Sequence, residues 1–138
     1  MSFLFVRFAV SVVDAYTLGK EIAELSRFQH QNGGFFDATH EPTAKDTCRA
    51  LYLMATFGAF QAVDTRGVLR FASTLRNRDG GCGPSPGQKS TIEATYYYYK
   101  IQTTLTQDGV DIPSIVEFLK SHYDSNSGLF RDTIDSDP

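Results

Sequence analysis

Leu75–Cys82 (LRNRDGGC) is the stretch on which the fold turns, because the chain carries it three times. Phe28–Phe35 (FQHQNGGF) precedes it and His122–Leu129 (HYDSNSGL) follows it. Asn32, Asp79 and Asn126 stand 47 residues apart at each step, as do Gly34, Gly81 and Gly128. Upstream, a Val-Asp pair recurs at Val13-Asp14, Val63-Asp64 and Val110-Asp111. Downstream, Thr47-x-x-Ala50 is echoed by Thr91-x-x-Ala94. Landmarks kept in one order at nearly one spacing are the signature of a repeat architecture.

Each landmark carries a structural expectation. Asp14, Asp64 and Asp111 are N-cap residues, since a carboxylate accepts from the free amides of a first helical turn. Pro113 falls in such a first turn, where its missing N–H costs nothing. Apolar stripes at helical spacing follow: Leu18, Ile22 and Leu25; then Val68, Phe71, Ala72 and Leu75; then Ile112, Ile115, Val116 and Leu119. The Asn/Asp-Gly or Ser-Gly pairs are expected to end these helices, being residues that tolerate the left-handed conformation. Second helices are expected from about Lys45 and about Ser90. Asp46–Ala62 and Thr91–Leu105 are apolar or aromatic on several faces, as in buried helices. The Tyr96–Tyr99 run has β-propensity of its own but reads as helix within this pattern.

The expected fold is therefore all-α, built of helical hairpins with an outer amphipathic helix, a glycine turn and an inner, more buried helix. The units span about 14–62, 63–109 and 110–138, within one domain over 1–138 that is expected to be partial. Residues 2–12 read as the inner helix of a preceding unit.

Composition excludes several classes. The chain has 138 residues, 41% apolar and 21% charged, with a net charge of −3. This is an ordinary globular balance, and its scattered Lys and Arg do not make a nucleic-acid footprint. Two cysteines, Cys48 and Cys82, are too few for a disulfide framework. No apolar run reaches the length of a transmembrane helix. Val13-Asp14-Ala15 loosely fits a leader cleavage site at the end of residues 1–15. Arg7 interrupts that apolar stretch and no basic residue precedes it, so a buried helix and an intracellular protein are favoured.

A helix, an Asn/Asp-Gly-Gly turn, a glycine- and proline-containing loop and a second helix resemble the repeat of protein prenyltransferase β subunits and terpenoid cyclases. Gly80–Tyr97 (GGCGPSPGQKSTIEATYY) carries the resemblance most closely, and Gly33–Tyr52 is a looser copy. The resemblance implies an α/α toroid, with inner helices around a central cavity and outer helices behind. A closed toroid needs about five to seven hairpins, so this chain is expected to form an arc whose end faces require a partner, self-association or a fuller parent chain.

The same resemblance draws attention to Asp46-Thr47-Cys48. In prenyltransferase β subunits an Asp-x-Cys at the start of an inner helix gives two zinc ligands, and a His in the next inner helix gives the third. Thiolate, carboxylate and imidazole together suit zinc with an open position for a substrate thiol. Here the expected His position falls at Ala94. His30, His40 and His122 lie at other points of the repeat. The competing structural reading has Asp46 capping its helix and Cys48 packing beneath it.

Tyr97, Tyr98 and Ile101 are candidates for an isoprenoid or apolar ligand pocket, against a plain role in core packing. Thr133-Ile134-Asp135-Ser136-Asp137 reads as a solvated loop rather than a cyclase acid. Cys82 and Gln88 are too far apart for an internal thioester. The leading expectation is a non-catalytic module that binds a protein partner or joins an assembly, with no cofactor. The alternative is a fragment or divergent β subunit of a zinc-dependent prenyltransferase, acting on an isoprenoid diphosphate and a substrate cysteine.

Overall fold

The computed structural model describes residues 17–37, 41–106 and 109–132. The helix expected at 2–12, the Asp14 cap, the leader reading of residues 1–15, His40 and the acidic loop at 133–137 lie outside the described residues. Among the described residues the fold is all-α apart from one small hairpin. Helix α1, residues 17–23, runs into a 3-10 turn at Glu24–Phe28. Then follow α2 (Ala44–Thr56), α3 (Thr65–Thr74), α4 (Ile92–Leu105) and α5 (Ile112–Ser121). The helices pack as hairpins: α4 lies against both α2 and α3. Phe35, Leu51, Met54, Val68, Phe71, Leu75, Tyr98 and Ile101 share one core between inner and outer helices.

Helix starts follow cap chemistry. The Asp64 carboxylate accepts from the Gly67 amide, and that of Asp111 accepts from the Ser114 amide, so both begin outer helices as expected. On α2 the expectation is corrected, because the N-cap is Thr43 rather than Asp46. The Thr43 hydroxyl accepts from the Asp46 amide at 3.0 Å and donates to the Asp46 carboxylate at 2.7 Å. Asp46 is thus the third helical residue of a reciprocal cap. Thr91 caps α4 in the same manner, accepting from the Ala94 amide.

These caps also correct the register of the inner helices. Thr47 and Thr95 each accept the amide of the residue that closes the glycine turn, Phe35 and Cys82, at 2.9 Å. Thr43 therefore matches Thr91, and Thr47 matches Thr95, one helical turn away from the Thr47-to-Thr91 echo in the sequence. Helix α2 is also shorter than expected: it ends at Thr56, and after Gly58 (φ 71°) only a 3-10 turn, Phe60–Ala62, remains of the predicted helix to Ala62.

The glycine turns do something other than end helices. Helices α3 and α5 stop first, at Leu75 and His122. The turns then close tight bridges, Gln29 with Phe35 and Arg76 with Cys82. In the third copy the bridge widens to an antiparallel pair, Tyr123–Asp124 with Leu129–Phe130. Asn32 and Asp79 accept the Gly34 and Gly81 amides instead of adopting the left-handed conformation. That conformation falls to Gly33 (φ 97°) and Gly80 (φ 87°). In the third copy Ser127 occupies this place and the positive φ moves on to Gly128.

Glycine is required there for a second reason. A Cβ on Gly33 would run into the Gly67 backbone, and one on Gly80 into that of Ser114. Each turn therefore sits directly on the N-terminus of the following outer helix. Side chains lock the contact. Gln29 donates to the Asp64 carbonyl and accepts from its amide, and 47 residues on, Arg76 donates to the Asp111 carboxylate at 3.1 Å. Loops bind units together too. Ala44 N–H donates to the Pro84 carbonyl, and Ile92 N–H donates to the Asp132 carboxylate, so each inner helix is finished by the loop of the next unit.

Candidate functional site

The N-termini of α2 and α4 lie side by side and enclose a recess of about 190 Å³. Thr43, Lys45, Asp46, Pro84, Glu93, Ala94 and Tyr97 are among its walls. Lys45 and Glu93 bridge its rim at 3.3 Å. Asp46 borders this recess and also a second, apolar one of about 310 Å³ beside Leu25, Phe28, Phe35 and Phe36. The structure therefore brings Asp46 and Tyr97 together. Cys48, half-buried two residues further along α2, is not among the walls of that recess.

Chemically, the pair of metal candidates is constrained. One Asp46 oxygen is engaged by the Thr43 hydroxyl. Burial pushes the Cys48 thiol above its ordinary value, against opposing effects of Lys100 and Arg49, which favours the protonated form. In the cap-defined register the α4 residue matching Asp46 is Ala94, which has no donor atom. Among the described residues no group of three His, Cys, Asp or Glu side chains is arranged to hold an ion. Among the described residues Asp46 and Cys48 are two donors, where a three-ligand zinc site needs three. His30 and His122 are engaged elsewhere: the His30 Nδ1 accepts from the Asn32 amide, and that of His122 lies 2.9 Å from the Phe118 carbonyl.

The four consecutive tyrosines point in different directions. Tyr98 and Ile101 are buried in the core. Desolvation raises the Tyr98 phenol above its ordinary value, with the Arg76 guanidinium acting against the rise. Cys82, behind them, is pushed up to about 12 by burial. Tyr97 packs against the core edge and faces the recess between α2 and α4. The three residues proposed from sequence for one pocket are therefore divided between recess and core.

Tyr96 and Tyr99 belong to a different site that sequence reasoning passed over. With Ile92 and Thr95 on α4, and Ile112, Ile115 and Leu119 on α5, they line an apolar groove of about 390 Å³. The signal was present in the i, i+3, i+4 and i+7 spacing of Ile92, Thr95, Tyr96 and Tyr99, a single helix face. Among the described residues no helix is long and apolar enough to cross a membrane.

Paired helices, repeated glycine turns and interlocking loops define a class of helical-repeat protein. Residues 9–134 match the family described as prenyltransferase alpha-alpha toroid domain, and the chain belongs to that family. A search of curated proteins finds no match to the chain.

Proposed function

We propose that the chain is a non-catalytic helical-repeat module that binds a protein partner or takes a place in a larger assembly. The observation that supports this most is the apolar face of α4 and α5. Tyr96 is 55% exposed, Ile112 44% and Tyr99 38%, and all three line the same groove. Clustered apolar exposure of this kind marks interaction surfaces. The Asp46 environment supports the non-catalytic half of the reading, since one carboxylate oxygen serves the helix cap.

Size-exclusion chromatography with light scattering, combined with binding of a dye for apolar surface, tests this reading. Dye binding or association is the expected result. A monodisperse monomer that binds no dye would sink it.

A second reading has one observation in its favour, the meeting of Asp46 and Tyr97 in the recess at the inner-helix ends. It takes the chain as part of a zinc-dependent prenyltransferase β subunit. A third ligand would then have to come from outside the described residues. Stoichiometric zinc, lost on Cys48→Ala, would favour it; zinc-free protein that keeps its fold would count against it.

A further inference from the structure

The outer helices of the first two units close on an apolar residue, and the third closes on a histidine. Phe28, Leu75 and His122 stand 47 residues apart, each where its outer helix ends. His122 is only 6% exposed and packs on Phe118, with ring centroids 4.2 Å apart. An imidazole buried at an apolar position of the repeat costs stability unless its polar atoms are used. One of them is used, because Nδ1 lies 2.9 Å from the Phe118 carbonyl. A carbonyl only accepts, so Nδ1 carries the hydrogen of the neutral ring and Nε2 is left as an acceptor. Nε2 has no partner among the described residues. His122 is also a wall of a polar hollow of about 430 Å³.

The second glycine turn and the loop after it build the rest of that hollow. Asn77 donates to the Gln88 carbonyl and to the Ser90 hydroxyl, and Ser90 donates to Asp79 Oδ1, a chain of bonds that stiffens the wall. The Gly81 amide donates to the same Oδ1, while Oδ2 of Asp79 has no partner among the described residues. Arg78 and Lys89 are further walls, and neither forms an ion pair among the described residues. The hollow shares no wall with the recess between the inner helices or with the α4–α5 groove.

We infer that this hollow binds a phosphate group that still carries a hydrogen, its oxygens held by Arg78 and Lys89 and its hydroxyl donated to His122 Nε2. Guanidinium and ammonium groups suit such an oxyanion. The two acceptors beside them, Nε2 and the free Asp79 oxygen, select an anion with a hydrogen to give. Sulfate matches hydrogen phosphate in shape and charge but has no hydrogen, so it meets lone pairs. The inference does not depend on the protein-binding reading, which rests on a different surface.

Isothermal titration calorimetry of the full chain tests it, at neutral pH and fixed ionic strength, with inorganic phosphate, glycerol phosphate and sulfate in turn. Saturable binding of a phosphate is expected, with sulfate at least about tenfold weaker, the worth of one hydrogen bond to a charged group. The tighter of the two phosphates identifies the source, a free ion or a phosphorylated molecule. His122→Leu gives the third unit the residue of the second. It should fold at least as stably as the parent chain and bind at least about tenfold more weakly. The double variant Arg78→Ser with Lys89→Ser, at two exposed positions, should abolish binding and keeps the test decisive if the histidine variant does not fold.

Failure of both phosphates to saturate, sulfate binding as tightly as phosphate, or affinity unchanged in either folded variant overturns the inference. Dye binding and association are untouched by these outcomes, so the protein-binding reading stands or falls separately.

Discussion

The pair α2–α3 and the pair α4–α5 use the same caps, the same glycine contacts and matching apolar positions, yet one is core and the other is surface. Outer helix α3 buries Gly67, Val68, Phe71 and Ala72, whereas α5 buries only Phe118. The difference lies in the neighbour rather than in the helices themselves. An apolar stripe in a repeat protein becomes core only when the next unit covers it, because stability is shared across interfaces between units. Burial separates the positions that line the groove: Leu51, Val68 and Ala72 are buried, whereas Tyr99 is 38% exposed and Ile115 and Leu119 are only half-buried.

The sharpest way to break this comparison is to truncate matched positions. Leu51→Ala should cost about 2–5 kcal/mol, as for a fully buried leucine. Tyr99→Ala, at the matching place in the open groove, should stay within about 0.5 kcal/mol, as at surface sites. Urea denaturation of both variants measures the contrast, and equal losses would show that the groove is already covered in the chain as it stands.

A smaller separation is expected at the turns. Gly33→Ala forces a positive φ on alanine and pushes against Gly67, for a cost of about 2–4 kcal/mol. Gly80→Ala meets the Ser114 backbone in the same manner, but among the described residues α5 buries only Phe118, so it can lift away more readily. Its loss should be smaller in global unfolding and should show as faster hydrogen exchange confined to α5. Identical exchange patterns for the two variants would contradict this.

The smallest effect is in pH. Hydrogen bonds from the Ser114 hydroxyl and amide, and from Arg76, hold the Asp111 carboxyl below its ordinary value of 3.8. A depressed acid contributes its stabilisation in full above that value and loses it as pH falls through the lowered one. The Gln29 clamp on the Asp64 backbone contains no titrating side chain. Of the two clamps only that of Arg76 on Asp111 should therefore respond: on acidification below 3.8 the Ser114 amide NMR signal should shift as Asp111 takes up its proton, and Asp111→Asn should abolish that shift.

Much of the scaffold was legible before any coordinates. The 47-residue interval located the outer helices and the glycine turns, and Asp64 and Asp111 are the caps that their position suggests. Asp46 misled because Thr43 lies just upstream: two residues able to cap sit three apart, and local sequence does not say which accepts and which reciprocates. The register of Thr47 was hidden for a related reason. Its hydroxyl serves the Phe35 amide, a tertiary bond across a loop, and sequence similarity within the helix carries no trace of it. For the site, Asp46 and Tyr97 do meet, but the tyrosine run gave no order of importance. Four adjacent residues on a helix face four ways, and only the neighbours on each side decide which becomes core, recess or open groove.

The sequence alone determined the alternation of outer and inner helices, the places where they start and the residues at which the chain must turn, because caps, glycines and apolar periods act over a few residues. Tertiary structure decided which apolar faces are covered and which inner-helix threonine closes a glycine turn. Those outcomes depend on distances between segments far apart in the chain, and burial is a property of what lies opposite a side chain rather than of the side chain itself.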